Sequence, residues 1–159
     1  MWRTPQEIIF ARILQKIFNV THSFDCDSPL HPNAILGLKH FNAGEYFEAH
    51  EELETAWRDE TGEIRDLYKG ILLAGVTYLH VKRVNYSGAV KVYGRSQKWL
   101  TKWPDTCRGV DVERLRTDLN TVIAEVRRLG PERLGEFDLS LLKPVIANGL
   151  SHGFTDMNG

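Results

Sequence analysis

No stretch of the chain without a charged residue is longer than the one from Gly70 to Val81, and this stretch most constrains the fold. It has roughly half of the about 20 apolar residues that a membrane-spanning helix needs. Its apolar residues cover nearly every side of a helix, which is typical of a helix buried in a protein core. The sequence therefore predicts a central helix over about residues 63–83, with the rest of the chain packed around it.

Helix-spaced apolar residues, capping residues and Gly or Pro stops predict five further helices. They cover about residues 5–20, 32–42, 45–59, 88–103 and 111–129. The apolar face of the first is formed by Phe10, Ile13, Leu14, Ile17 and Phe18, with Ile9 beside it. No alternating strand pattern is found, so the prediction is an all-α fold, a compact single-domain helical bundle of about six helices over residues 1–159.

Two segments between and after these helices are predicted to be irregular. Residues 21–31 are rich in Ser, Asp, His and Pro, which predicts a loop. Residues 131–159 mix apolar residues with Pro and Gly, which predicts a C-terminal segment packed on the bundle or on a partner. Its last residues, 151–159, are predicted to fray.

Two glycines lie inside the predicted central helix, at Gly70 and Gly75. Each costs roughly 1 kcal/mol relative to alanine in a helix interior. A close contact with a neighbouring helix is the expected compensation.

Charge is balanced in total but segregated along the chain. The 20 Lys and Arg against 21 Asp and Glu give a net charge of -1, which lacks the electrostatic signature of a dedicated nucleic-acid binder. Seven acids and one base lie between Phe41 and Glu60, whereas seven bases and no acid lie between Leu67 and Pro104. This segregation predicts that the third helix packs where the fourth and fifth helices complement its charge.

The two cysteines, Cys26 and Cys107, are too few for a disulfide scaffold. We expect reduced thiols in a cytoplasmic protein, since no secretory signal opens the chain and no membrane segment follows. Cys107 has no local histidine to activate it, and neither cysteine is predicted to be a nucleophile. The loop also holds five residues of types that bind metals, but their irregular spacing makes a metal site there a weak hypothesis. They are His22, Asp25, Cys26, Asp27 and His31.

The third helix carries an unusual polar stripe. Phe47, His50, Glu51 and Glu54 stand at i, i+3, i+4 and i+7, and Trp57 continues the same side one turn later. Polar groups thus occupy positions where a helix facing the core is normally apolar. If the stripe faces inward, its polar groups need partners on the fourth helix. The candidates are Arg65, Tyr68, Thr77, Tyr78 and His80.

Three interpretations of the stripe remain open at this point: a hydrogen-bond network that fixes packing, a small-molecule or metal site, and a solvated face. The spacing does not support a metal. A ferritin-like centre has a glutamate three residues before each ligand histidine, whereas here Phe47 precedes His50 and Thr77 precedes His80 at that spacing. Glu54 stands where a zinc protease has its second histidine. No cofactor is therefore predicted.

At this helix the sequence resembles a known family. The run from Phe41 to Glu51, followed by Leu53-Glu54 and Trp57, resembles the signature of the domain of unknown function 309 family, small all-helical proteins of bacteria and archaea. The likeness continues over about residues 33–100. It takes in Arg65, Tyr68-Lys69-Gly70, His80, Asn85 and Gly88-Ala89.

The resemblance implies a helical bundle but no reaction, because the family has no established activity. Its characteristic polar residues fall on Glu48, His50, Glu51, Glu54, Arg65, His80 and Asn85. With Trp57 and Tyr68 added, these residues form the predicted polar site. Leu73 stands where the family pattern has Gln, which makes this site less polar.

The fifth helix has a basic stripe opposite its apolar face, formed by Lys91, Arg95, Lys98 and Lys102. A solvated outer face explains it more simply than a nucleic-acid surface does. Trp99 and Trp103 lie on the apolar side of that helix, so we interpret them as core or interface aromatics.

The sequence assigns no reaction and does not decide whether the protein is an enzyme. Three hypotheses remain: a pocket in which His50 and Glu54 act as acid and base or as ligands, a structural and interaction module that can form a homodimer, and anion binding through the fifth helix. A small molecule or a second copy of the chain are the partners that these features allow. Nucleic acid is disfavoured, and no membrane association is predicted.

Overall fold

The computed structural model describes residues 4–150 and, within them, the side chains outside residues 15–25. Six α-helices form the fold, which confirms the all-α prediction. A two-stranded hairpin lies between the last two helices, and two short 3-10 segments, Leu134–Glu136 and Leu139–Leu141, follow. The helices are α1 (Pro5–Asp27), α2 (Pro32–Asn42), α3 (Tyr46–Asp59), α4 (Arg65–Lys82), α5 (Tyr86–Leu100) and α6 (Val112–Arg133), and the strands are β1 (Thr106–Cys107) and β2 (Val110–Asp111).

Helix α4 is central, as the uncharged stretch predicts. It packs between α3 and α5, and most of its residues are buried. A Cβ atom at Gly70 would lie 2.8 Å from the side chain of Leu100, and one at Gly75 would lie 3.2 Å from the ring of Phe41. The two glycines therefore allow close approach of a neighbouring helix, as expected.

Helix α1 is longer than predicted, and the predicted loop over 21–31 is wrong in its first part. The helix begins with the Thr4 capping box, in which Thr4 N donates to Glu7 Oε2 and Glu7 N to Thr4 Oγ1. It continues to Asp27, because no Gly or Pro interrupts residues 21–27. It ends at Ser28, where the following Pro29 disfavours helical backbone.

The apolar face assigned to α1 is not buried in this chain. Phe10, Ile13 and Leu14 are 63%, 48% and 50% exposed, and Ile8 and Ile9 are also exposed. The predicted members Ile17 and Phe18 have side chains outside the described residues. Helix α1 packs against β1 near its C-terminal end, so the pattern correctly marks an apolar face but not its partner.

The two cysteines are not reduced thiols: Cys26 at the end of α1 forms a disulfide with Cys107 in β1. Their Cα atoms lie 4.3 Å apart although 81 residues separate them in sequence. The expectation failed because this pairing depends on the extension of α1 past residue 20. It also depends on the hairpin, whose turn at Arg108 and Gly109 has positive φ angles of 49° and 78°.

The segment after α6 returns along the bundle. Gly130, with φ of 72°, interrupts the helical backbone of α6 near its end. Val145 N donates to Asn42 Oδ1 at 2.7 Å, and Asn42 Nδ2 donates to Val145 O at 2.9 Å. Leu134, Phe137 and Val145 are buried. None of the described helices has the length and apolar character that a membrane span requires.

Candidate functional site

The polar stripe of α3 lies at the edge of its packed face and does not point into the core. The buried residues of α3 are Tyr46, Ala49, Leu53 and Ala56. Phe47 is 52% exposed, and Glu48 and Glu51 are exposed as well. The inward orientation considered for this stripe is therefore not found, because the buried residues of α3 each stand one position before a residue on the side of the stripe.

Three members of the stripe are half-buried and share one side of α3. His50, Glu54 and Trp57 stand at i, i+4 and i+7. His50 Nδ1 lies 3.7 Å from Glu54 Oε2, and Arg58 Nη2 lies 4.0 Å from Glu54 Oε1. The side chains of His50 and Glu54 are 36% and 39% exposed, so water solvates both. Glu54 thus pairs within its own helix.

Trp57 joins α3 to the beginning of α4 through two cations. The guanidinium carbon of Arg65 lies 4.5 Å from the centre of the Trp57 ring, and Lys69 Nζ lies 5.0 Å from it. These distances are typical of cation–π contacts. The Nε atom of Arg65 is buried and has no hydrogen-bond partner among the described residues. Trp57 therefore contacts two cationic side chains, and in the described part of the chain one of them, Arg65, has a buried Nε–H donor without a partner.

Trp57, Arg65 and Lys69 line a cavity of about 410 Å³ together with Trp99 of α5. Gly62, Glu63 and Asp66 complete the lining. Asp66 forms an ion pair with Lys102, which offsets its charge. Lys98 Nζ lies 5.0 Å from the centre of the Trp99 ring. We call this the Trp57–Trp99 cleft; two aromatic rings and two α4 cations define its chemistry.

Tyr68 belongs to a different cluster, which it forms with His31, Glu60 and Arg108. Its hydroxyl donates to Glu60 Oε2 at 3.2 Å and accepts from His31 N at 3.0 Å and from Arg108 Nη1 at 3.2 Å. Arg108 Nη1 also lies 3.4 Å from Glu60 Oε2 and donates to Pro29 O. Burial raises the pKa of Tyr68, so the hydroxyl stays protonated. This is a satisfied structural network.

His80 and Asn85 organise the turn between α4 and α5. Asn85 caps α5 by accepting from Gly88 N at 3.0 Å, and its Nδ2 lies 3.2 Å from His80 Nδ1. A Cβ atom at Gly88 would lie 2.7 Å from both side chains, which explains the glycine in the motif. Desolvation, with the nearby charge of Arg83, lowers the pKa of His80, which favours the neutral imidazole.

The nine predicted site residues are thus divided among separate contacts. Trp57 and Arg65 line the Trp57–Trp99 cleft, His50 and Glu54 form a solvated pair, and Tyr68 lies in the structural network. His80 and Asn85 form the α4–α5 turn, and Glu48 and Glu51 are exposed. Among the described residues, no group of three or more His, Cys, Asp and Glu side chains could hold a metal ion.

Sequence reasoning missed two important residues. Trp99 is half-buried and lines the cleft, although its position on the apolar side of α5 indicated a core or interface aromatic. Arg108 was not singled out because it stands in a two-residue turn outside any periodic pattern. The side chain of Arg108 is only 8% exposed, and no local sequence signal indicates that a turn arginine is buried.

This chain is an all-α domain with an aromatic and cationic cleft at the junction of three helices. Residues 35–92 match the family described as domain of unknown function (DUF309), which confirms the resemblance carried by the α3 motif. An uncharacterized protein of Aquifex aeolicus (strain VF5) is 27% identical over 84 residues. The match covers 52% of this chain and 25% of that protein, so the chain aligns with about a quarter of its relative's length.

Proposed function

We propose that this domain binds a small organic anion with a planar body in the Trp57–Trp99 cleft. The observation that carries the proposal is the Arg65 side chain, which is stacked on Trp57 while its buried Nε–H has no partner among residues 4–150 as described. A buried donor left unpaired costs about 1–3 kcal/mol, and an acceptor supplied by a ligand would recover that cost. Carboxylate and phosphate oxygens are the acceptors that a guanidinium binds best.

The other groups of the cleft support the same chemistry. Lys69 places a second positive charge over Trp57, at 5.0 Å from the ring centre. Trp99 offers an aromatic surface on the other helix, against which a planar group can stack. The volume of about 410 Å³ falls within the range of small-molecule sites. The ligand would therefore present its anionic group to Arg65 and its planar body to the aromatic walls.

Two pairs of compounds, each an anion and its neutral counterpart, test this proposal. They are benzoate with benzamide, and adenosine monophosphate with adenosine. We expect at least one anion to change tryptophan fluorescence saturably and its neutral counterpart to bind at least tenfold more weakly. Arg65→Gln should abolish the response. Arg58→Gln is the matched control, because Arg58 follows Trp57 but is 63% exposed and lies outside the cleft lining. Equal binding of the two members of each pair, or no response to either anion, would contradict the proposal.

A second candidate function is self-association through α1. Its exposed apolar residues are arranged symmetrically about Ala11 and Arg12, so an antiparallel second copy would pair Ile9 with Leu14 and Phe10 with Ile13. Such self-complementarity is what a two-fold interface requires. Sedimentation of the parent chain should give a dimer, and Ile13→Asp should give a monomer. A monomeric parent chain at high concentration would contradict this candidate.

We keep a cytoplasmic location as part of the proposal, and the disulfide gives it a test. Cytosolic disulfides are uncommon and usually transient or redox-active. If the protein works in the cytoplasm, alkylation of intact cells should trap a substantial fraction of Cys26 and Cys107 as free thiols. Complete oxidation in intact cells would argue for an oxidising compartment.

A further inference from the structure

The Cys26–Cys107 disulfide lies beside a second cavity, separate from the Trp57–Trp99 cleft. This cavity has a volume of about 420 Å³, and Cys26 is among its lining residues. Cys26 is partly exposed, whereas Cys107 is 1% exposed and is not part of the lining. A molecule in the cavity can therefore reach the first cysteine of the bond but not the second.

The remaining walls of the cavity suit a polar, acidic molecule. Lys39 contributes an exposed positive charge to the lining, Arg108 contributes a guanidinium that is paired with Glu60, and Asp27 contributes one negative charge. Asn148 adds an amide group, and Pro29 and Leu30 add apolar surface. Lys39 is exposed, so its charge attracts anions, although salt will screen that attraction.

We propose that the Cys26–Cys107 disulfide is a thiol-exchange site for a small acidic thiol. The thiolate of the incoming molecule attacks Cys26 Sγ and forms a mixed disulfide. The Sγ–Sγ bond breaks, its electron pair goes to Cys107 Sγ, and the resulting thiolate takes a proton from water. Exchange requires access of the attacking thiolate to one sulfur, and the exposure difference makes Cys26 that sulfur.

A second molecule of the thiol completes the reaction. Its thiolate attacks the sulfur of the bound thiol, releases Cys26 as a thiolate and leaves as a small-molecule disulfide. Two electrons have then reduced the protein disulfide, and two small thiols have been oxidised to one disulfide. The two incoming thiols release two protons to water when they ionise. The two protein thiolates take up two protons from water, so the protons balance.

The disulfide is the covalent link between α1 and the hairpin. Besides it, Arg108 N donates to Cys26 O at 2.7 Å, and Arg108 Nη1 donates to Pro29 O at 3.1 Å. Exchange would remove the covalent link but leave these hydrogen bonds available. The exchange site therefore controls how firmly the end of α1, with its exposed apolar face, is joined to the bundle.

Reduced glutathione is the probe for this proposal, and the folded full chain is the substrate. After brief exposure, acid quenching and alkylation, peptide mass spectrometry should find glutathione on Cys26 and the alkyl group on Cys107. Lys39→Gln should slow the reaction with glutathione about two- to fourfold at low salt, since one exposed charge pair contributes up to about 1 kcal/mol. The same variant should leave the rate with neutral 2-mercaptoethanol unchanged.

Lys91→Gln is the matched control, because Lys91 is exposed on α5 outside the cavity lining. Its rates with both thiols should equal those of the parent chain. Glutathione found on Cys107, or exchange only at denaturant concentrations that unfold the chain, would overturn the proposal. Equal slowing of both thiols in Lys39→Gln would overturn the preference for an acidic thiol.

Discussion

Two arginines near the α3–α4 junction show how differently the same side chain can be used. Arg108 is 8% exposed and directs one nitrogen to Pro29 O, Glu60 and Tyr68. Arg65 stacks on Trp57 at 4.5 Å, but its buried Nε has no hydrogen-bond partner among the described residues. The first arginine has its partners inside the fold, whereas the second keeps a buried donor without a partner in the described part of the chain.

The comparison shows that a structural arginine and a binding arginine differ in whether the fold supplies their hydrogen-bond partners. Burial alone does not distinguish them. A charge removed from water must be compensated, and the network around Tyr68 provides that compensation within the chain. In the Trp57–Trp99 cleft, Arg65 stacks on an aromatic ring, which is a weaker partner for a guanidinium than a carboxylate is. We therefore expect substitution of Arg108 to lower the stability of the fold and substitution of Arg65 to weaken ligand binding.

The largest expected effect is that of Arg108→Gln. Removing this cation leaves the Glu60 carboxylate with the Tyr68 hydroxyl but without its ion-pair partner in a partly buried site. Loss of one partner of a buried ion pair typically costs about 3–5 kcal/mol. Urea unfolding should show this loss, and Arg58→Gln should change the free energy of unfolding by less than about 0.5 kcal/mol. If Arg108→Gln unfolds like the parent chain, the structural role assigned to Arg108 is wrong.

A comparison of two buried tyrosines measures the network without removing a charge. Tyr68 and Tyr78 are both fully buried, but the Tyr78 hydroxyl has no hydrogen-bond partner among the described residues. Tyr68→Phe should lower the free energy of unfolding by about 1–3 kcal/mol, because His31 N loses its acceptor. Tyr78→Phe should be neutral or stabilising. Equal losses in both variants would show that hydrogen bonding does not explain the effect.

A smaller effect on stability is expected for Arg65→Gln. The variant loses one cation–π contact, which contributes about 0.5–1 kcal/mol at a partly exposed site, and it no longer buries an unpaired guanidinium donor. Chemical unfolding should therefore show a change below about 1 kcal/mol, with anion binding lost. A large destabilisation would make Arg65 a structural residue, as Arg108 is.

The smallest effect concerns the pH dependence contributed by His80. Its pKa is lowered on folding by desolvation and by Arg83. At a pH just below the ordinary pKa of histidine, the unfolded state therefore binds more protons than the folded state. The stability contribution is present above the unfolded pKa and is lost as the pH falls through the folded pKa. NMR titration should place the pKa of His80 below 6.5, and Arg83→Gln should raise it toward that value. A pKa at or above 6.5 would contradict this assignment.

The helices could be predicted from the sequence because each carries its own periodic pattern and stop signal. The α4 glycines also predicted close helix contacts correctly. Charge segregation correctly indicated that α3 packs on α4, but Glu54 pairs with His50 and Arg58 of its own helix. Segregated charge predicts which elements are neighbours without predicting which side chains form pairs.

What the sequence could not provide depends on contacts between distant residues. The disulfide joins residues 81 positions apart, and Arg108 reaches Glu60 and Tyr68 from a turn without a periodic pattern. The face of α1 could be recognised as apolar, but no local rule indicates whether an apolar face is covered by the same chain. The α3 stripe lies outside the core for a similar reason, since the residues of α3 that the other helices bury include Ala49 and Ala56 and not the stripe.

NMR of the arginine Nε–H groups tests most directly whether Arg65 keeps a donor for an anionic ligand. We predict that benzoate or adenosine monophosphate shifts the Arg65 Nε–H signal saturably, while the Arg58 signal does not move. Benzamide and adenosine should leave the Arg65 signal unchanged. An Arg65 signal that neither anion moves at any concentration up to solubility would contradict the claim.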